Sequence, residues 1–545
     1  VKFPNHSHHY ENEEAAFSRD HKPNNRRSKM MRKFTATALC ILLTMAIFST
    51  VYASNGTQIG NVGARSIAMG SCFRGLADDW SAVFYNPAGL TQLGSKWTFG
   101  GSLGLIMPRG CYTQDAYPAD QYPFSGMHTE TACEATPQNF YVPTVSVFYK
   151  PSESMVFGLG MYAPFGLGAE WDLIDVPSNY GNTTGFSKEH EHYSNHQVLV
   201  FQPTFALKIT DKISLGLGAS YIWGKMDIDL VKLIYNPVLE PIEIAPGVTM
   251  PRWGALQLAL GAQGISLPDL TADQYRLPVE MALSGDGSAY GFNVGLHFAL
   301  SEKFSFGVAM RYYTDLKLKG DVLQTAIMSG DQVKYGTLNA VPAQAFADAE
   351  DPTGANNKAA LVSLFAGENV PETHDDIEAD MPLPMTIGGG IAFKPSPKLT
   401  LTADVSWTNW DAYDNIPIMD GDEEIAAFEL DWSSTIEAGF GFEWMVMEKE
   451  NTQLFLRGGF YTVDTPSPDE TMSPSIPDPN RRYDFTGGFG LKVGKIGINV
   501  AYEYFYFPDK EVAEYVFLDN GAADNYAGLY EFKAHVITLG TSIEL

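Results

Sequence analysis

The chain has 545 residues, with 64 acidic against 36 basic side chains and a formal net charge of -28. That balance excludes a basic stripe for nucleic acid. Aromatic residues make up 13%, with 51 Gly, a mixture suited to strands joined by tight turns, and without a long apolar run beyond the N-terminal region a helical membrane span in the body is excluded.

In chain order, residues 1–29 are a polar stretch. Lys29, Arg32 and Lys33 then form a positive patch, residues 34–48 (FTATALCILLTMAIF) are apolar, and Val51-Tyr52-Ala53 supply small residues near a cleavage point. This is the layout of a secretory signal peptide. The reading is an N-terminal extension and signal peptide over 1–53, removed after Ala53, with translation beginning at Met30 or Met31. Export implies a compartment that permits disulfides. Cys111 and Cys133 could close the polar segment between them and leave Cys72 over; spacing alone does not choose the pairing.

Residues 54–95 are rich in Gly and small side chains and too short for an independent domain. They contain FYNPAGL (84–90), where Asn86-Pro87 is a turn: Pro fixes φ and pushes the preceding residue out of the helical region.

From Lys96 onward, segments of about ten residues alternate between apolar and small or polar side chains. In 399–408, Leu399, Leu401, Ala403, Val405 and Trp407 oppose Thr400, Thr402, Asp404, Ser406 and Thr408. Such segments fall at about 96–107, 139–150, 155–169, 197–209, 213–232, 287–300, 304–321, 381–394, 399–415, 432–447, 453–463, 482–493, 496–508 and 530–545. Alternation alone also fits a soluble sandwich with one wet face. Two features favour a membrane barrel. Tyr221, Trp223, Trp407, Tyr504 and Tyr506 sit near strand ends on the apolar side, as interfacial girdles do. Connections alternate between short turns such as 210–212, 301–303 and 493–495 and long loops such as 233–286 and 322–380. The predicted fold is all-β, a fourteen-stranded antiparallel transmembrane β-barrel over 96–545. Its wide lumen needs filling, and 54–95 meets that need as an N-terminal plug.

Several segments together resemble the FadL/TodX family of outer-membrane transporters: GLADDWSAVFYNPAGL (75–90), GLGMYAPFGLGAEW (158–171), residues 290–321, LTLTADVSWTNWDAYDNI (399–416), residues 473–494 and YEFKAHVITLGTSIEL (530–545). The resemblance implies a lumen hatch whose Asn-Pro-Ala motif is Asn86, Pro87 and Ala88. It implies a kinked third strand at Pro164, Phe165 and Gly166, opening the wall sideways beside that motif; Pro and Gly within a strand make a break physically reasonable. It implies an apolar landing groove in the long loops, here with Trp253, Leu256, Leu258 and Leu260. Lys225 falls near a position where fatty-acid transporters of the family receive a carboxylate, but 409–418 offers no second base. Fatty acid and neutral hydrocarbon therefore both stay open as cargo.

His190, His192 and His196 lie close together in KEHEHYSNH (188–196), and DGDEE (420–424) resembles half a calcium loop. The first lacks a Cys or a helical frame and the second lacks its remaining ligands, so both read as solvated loops and no metal site is expected. No nucleophile-base pair stands out; the chain reads as a non-enzyme with no cofactor. The function implied is passive uptake of hydrophobic small molecules, fatty acids or hydrocarbons, by a monomer in the bacterial outer membrane. Its surroundings would be outer-membrane lipid and lipopolysaccharide. The alternative is a non-specific porin or a structural, adhesin-type barrel.

Overall fold

A computed structural model describes residues 56–59, 62–115, 132–171, 173, 192–239, 241–270, 276–326, 330–346, 351–367, 370–475, 478–516 and 525–545. The expected leader over 1–53 lies outside them. Fourteen strands form the wall. They are β1 (Trp97–Gln114), β2 (Phe140–Ser152), β3 (Met155–Trp171), β4 (His192–Thr210), β5 (Ile213–Tyr235) and β6 (Arg276–Ala299). Next come β7 (Phe304–Tyr313, then Leu316–Ala326), β8 (Val370–Met381, then Thr386–Ser396), β9 (Leu399–Thr408, then Asn415–Asp420) and β10 (Glu423–Glu429, then Thr435–Lys449). The wall ends with β11 (Thr452–Val463), β12 (Arg482–Val493), β13 (Ile496–Tyr506) and β14 (Gly528–Glu544). Sequential neighbours pair antiparallel, and β1 pairs with β14 from Thr98 opposite Glu544 to Gln114 opposite Gly528. Closure removes the strand edges that lipid cannot satisfy.

The alternation has a definite sense. On β9, Leu401 and Val405 are exposed while Thr402, Asp404, Ser406 and Thr408 are buried. On β13, Ile496, Ile498, Tyr502 and Tyr506 are exposed while Ala501, Glu503 and Phe505 are buried. Apolar side chains face out and polar ones face in, the reverse of a soluble sandwich, so the outer surface is made for lipid. Aromatic pairs such as Tyr221 with Tyr290 and Phe292 with Tyr312 lie on that outer face.

Several strands run further than expected. β6 begins at Arg276, β8 at Val370, and the connection expected over 416–431 is a paired extension of β9 and β10 that turns at Gly421, with φ 60°. The DGDEE run is this turn. The extension of β8 carries charge on its outer face, with Asp380 bonded to Lys317 and Glu378 to Lys319 of β7. A strand charged outside gives no apolar alternation, which is why these stretches read as loops.

The lumen is filled by residues 62–95, which include α1 (Ala64–Ile67), α2 (Ala82–Tyr85) and a 3-10 turn over Pro87–Gln92. Met69, Phe73, Leu76, Val83 and Leu90 are buried there. Ion pairs tie this plug to the wall. Arg65 donates to both Glu443 oxygens at 2.8 Å and to Asp78 at 2.6 Å. Arg457 donates to the same Glu443 at 2.7 Å, and the Arg74 backbone N–H donates to Asp404 at 2.8 Å. Bidentate guanidinium–carboxylate bonds have the geometry that buried charges need.

Candidate functional site

Asn86 is fully buried and caps the 3-10 turn, its Oδ1 accepting from the Ala88 N–H at 3.2 Å. Its Nδ2 donates to the Arg74 and Leu296 carbonyls, each at 3.0 Å, so one amide joins two parts of the plug to β6. Wall glycines allow this approach. A Cβ at Gly216 on β5 would lie 2.2 Å from the Ala88 nitrogen, and one at Gly295 on β6 would lie 2.1 Å from Asn86 Oδ1. The motif is thus seated against β5 and β6, with Gly307 of β7 also beside Asn86.

The wall's pairing breaks elsewhere. β2 and β3 pair from Ser152–Met155 only as far as Val145–Met161. Beyond that point β3 stays with β4, through a register shift between Tyr162 and Phe165, and leaves β2. Pro164 lies in the shift and has no N–H to offer a ladder. The edge of β3 abandoned by β2 is taken by residues 57–59. Gln58 bridges Phe165, the Ile59 N–H donates to the Pro164 carbonyl at 2.9 Å, and the Gly166 N–H donates to the Thr57 carbonyl at 2.8 Å. So three residues stand where a strand would stand. The resemblance placed the Asn-Pro-Ala motif beside the kink; the segment bonded to the kink is Thr57–Ile59. Beside the motif, Phe84 meets Tyr162 of β3 edge-on at 5.3 Å, and Val83 lies against Gly160 of the same strand.

Two cavities flank this tripeptide. One is lined by Thr57 with Met226, Ile228, Met381, Ile416 and Trp432. The other is lined by Ile59 with Ile67, Ile106, Val142, Thr144 and Glu503. Thr57 faces the first and Ile59 the second, so the segment divides them. An aromatic group backs it: Tyr413 stacks on Trp432 at 5.0 Å, and Trp410 meets Trp432 edge-on at 5.2 Å. Gly56, at φ 61°, rests on these rings; a Cβ there would lie 2.6 Å from Trp432, and its N–H donates to Asp478 at 2.7 Å.

Residues 45–544 match the family described as outer membrane protein transport protein (OMPP1/FadL/TodX). The chain belongs to this family. It is similar to a putative outer membrane protein of Neisseria meningitidis serogroup B, 22% identical over 92% of this chain and 96% of the relative. It is 24% identical to the long-chain fatty acid transport protein of Escherichia coli O6:H1, over 56% of this chain and 62% of the relative. Among solved structures, a Pseudomonas aeruginosa FadL homologue superposes with TM-score 0.64 at 15% identity, covering 90% of this chain and 99% of the homologue. The Pseudomonas putida toluene transporter TodX superposes with TM-score 0.57 at 16% identity, covering 90% and 100%. The chain is an outer-membrane barrel of the FadL/TodX family that transports hydrophobic compounds, and it is not an enzyme.

The other expected site residues of this FadL/TodX-family chain divide. Trp253 and Leu260, on the loop helix α3 (Arg252–Gly261), are buried against Leu338, Val341 and Phe365 from the loop between β7 and β8. Leu256 packs at the edge of that cluster, and Leu258 is 65% exposed. Half of the expected landing surface is therefore the loops' own core. Lys225 shares the outer face of β5 with Leu217 and Tyr221, and its ammonium lies 2.7 Å from Asp227. Its lumen-side neighbours are Gly224 and Met226. This corrects the expectation of a lumen base: a one-residue step on a strand changes faces. His192 and His196 correct another. They lie on β4 and are buried in the lumen rather than solvated, and among the described residues no cluster suits a metal. The lumen aromatics Trp410, Tyr413 and Trp432 and the tripeptide Thr57–Ile59 had no sequence marker as a unit, because separate segments bring them together.

Proposed function

We propose that this chain carries small hydrophobic compounds inward without an energy source and releases them sideways through the wall between β2 and β3. Exposed apolar loop surface around Leu258 strips water from the arriving molecule. The lumen above the plug is apolar, with Leu283, Leu316, Leu318, Ile377 and Met381 among its buried side chains. The molecule then displaces Thr57–Ile59, and the cavity beyond it leads to Val142 and Thr144, past the point where β2 has left β3. Asn86, Pro87 and Ala88 are the fixed end of the plug and Thr57–Ile59 its moving end. The observation that carries this reading is that the β3 edge at Phe165 is held by two backbone bonds to a tripeptide instead of by a strand. A fatty acid transport protein and a toluene transporter among the similar proteins support hydrophobic cargo.

Gln58 and Phe165 are a bridge of the closer, non-hydrogen-bonded kind, suited to a cross-link. Cys72 does not interfere, since burial pushes its thiol well above the ordinary value. The double substitution Gln58→Cys and Phe165→Cys is expected to abolish uptake of radiolabelled palmitate, hexadecane or toluene when oxidised and to restore it on reduction. Uptake that ignores the cross-link would remove the lateral route. Ion conductance of the unmodified chain in planar bilayers tests the porin alternative, and a closed lumen is expected.

A further inference from the structure

Lysines on the outer face of β5 and β7 each have a carboxylate: Lys225 has Asp227, Lys317 has Asp380 and Lys319 has Glu378. Arg109 of β1 and Lys533 of β14 differ. Both are exposed on the outer face, and they are direct cross-strand partners where the barrel closes. Among the described residues no carboxylate is ion-paired with either, and the Arg109 guanidinium donates to the carbonyl of its own neighbour Pro108, at 2.6 Å. Glu531, two residues along the same face of β14, stands opposite Cys111 instead. Like charges directly opposite each other, with Cβ atoms about 5 Å apart, repel and weaken the strand pair. An anion between them would turn that repulsion into charge-assisted bonds.

Depth in the membrane says which anion. Trp97, exposed at the short-turn end of β1, meets Tyr149 at 4.6 Å and marks one interface. Arg109 lies further along the same strand by about 40 Å, or about 30 Å along the axis of a barrel with the usual tilt. Lys533 pairs with Tyr506, and Tyr506 with Tyr483, so the two cations continue an aromatic row at the opposite interface, on the side of the long loops. Toward the bilayer centre the outer faces of the same two strands are apolar, with Leu105 opposite Ile537 and Leu103 opposite Leu539.

We propose that Arg109 and Lys533 clamp a phosphate of an anionic outer-leaflet lipid of the lipopolysaccharide type, whose acyl chains lie along Leu103, Leu105, Ile537 and Leu539. Guanidinium presents a planar fork to phosphate oxygens and ammonium adds a point charge. The apolar strip beneath favours a lipid over free phosphate, because a soluble anion gains nothing from covering it. Bound lipid would bridge the β1–β14 seam. The clamp needs no cargo and is independent of the transport reading.

The test uses the purified full chain in a neutral detergent, titrated with lipid A bearing two phosphates, with its dephosphorylated form and with inorganic phosphate. Binding is read by native mass spectrometry and thermal midpoints by heat-dependent gel mobility. The bis-phosphorylated lipid is expected to bind and to raise the midpoint, and the other two to do neither. Arg109→Gln with Lys533→Gln is expected to weaken that binding about tenfold or more and to lose the rise, in keeping with two surface cations. Lys317→Gln with Lys319→Gln is expected to keep both. Without lipid, the first double variant is expected to unfold no earlier than the wild type, because it relieves a repulsion, so a loss of binding there is not a loss of fold. Equal lipid binding by the two double variants would overturn the proposal, as would equal binding of the dephosphorylated form. A midpoint raised by inorganic phosphate alone would mean a site for the free anion and would overturn the lipid assignment. Earlier unfolding of the first double variant without lipid would mean that the pair holds the seam with no anion, and would overturn it too.

Discussion

Asn86 shows how much one side chain can join. Its amide bonds Arg74, Leu296 and Ala88, using two donors and an acceptor in one plane. Asn86→Ala is expected to cost about 1–3 kcal/mol, since two buried carbonyls lose a donor. Asn86→Asp is expected to cost more, because it sets a carboxylate against the same carbonyls while keeping the Ala88 contact. Thermal midpoints of the heat-dependent gel shift would rank the two. Asn86-Pro87 was legible in the sequence as a turn, because turn chemistry is local. Its seat on Gly216 and Gly295 was not, since a wall glycine and a plug turn more than a hundred residues apart share no local pattern.

At the scale of elements, β3 is one strand with two neighbours in succession. Its first half pairs with β2 and its second half with Thr57–Ile59. Pro164 and Gly166 marked the break in the sequence, because both weaken a ladder on their own. What takes the vacated edge could not be read there, since backbone pairing carries no side-chain code. Ile59→Pro removes the N–H that bonds Pro164 and is expected to loosen the tripeptide and raise passive uptake severalfold, measured with radiolabelled hexadecane. The loop helices make a second case. Trp253 closes on Phe365 with ring centroids 5.2 Å apart and belongs to a small core. Trp253→Ala is expected to cost about 3–5 kcal/mol of local stability, seen as faster proteolysis between β5 and β6 with the barrel intact. Leu258→Ser, on the exposed side, is expected to leave proteolysis unchanged and to weaken cargo capture. An amphipathic-looking loop helix does not announce from its sequence which of its apolar residues another loop covers.

For the whole molecule, the plug and wall form one closed object held by a few buried charges. Glu443 accepts from Arg65 of the plug and Arg457 of β11. Glu443→Gln would leave the buried Arg457 guanidinium without its carboxylate, Arg65 keeping Asp78, and is expected to cost about 3–5 kcal/mol, with a rise in ion leak across planar bilayers as the plug loosens. Glu443→Asp, which keeps the charge, is expected to recover most of the seal. An unchanged leak in the Gln variant would mean that the apolar contacts of Met69, Phe73 and Leu76 hold the plug alone.

The sequence by itself determined the barrel. Period-two alternation, interfacial aromatics and the short–long rhythm of connections are properties of each strand and turn, and lipid imposes them on every strand separately. It pointed too to a plug ahead of the first strand, and residues 62–95 hold its short helices. Tertiary structure decided which face Lys225 takes, how far the charged extensions of β8, β9 and β10 run, and that His196 is buried. It also decided that Thr57–Ile59 lies on the broken strand. These all depend on register and on contacts across the lumen, and a closed barrel brings such partners together only after the whole wall has formed.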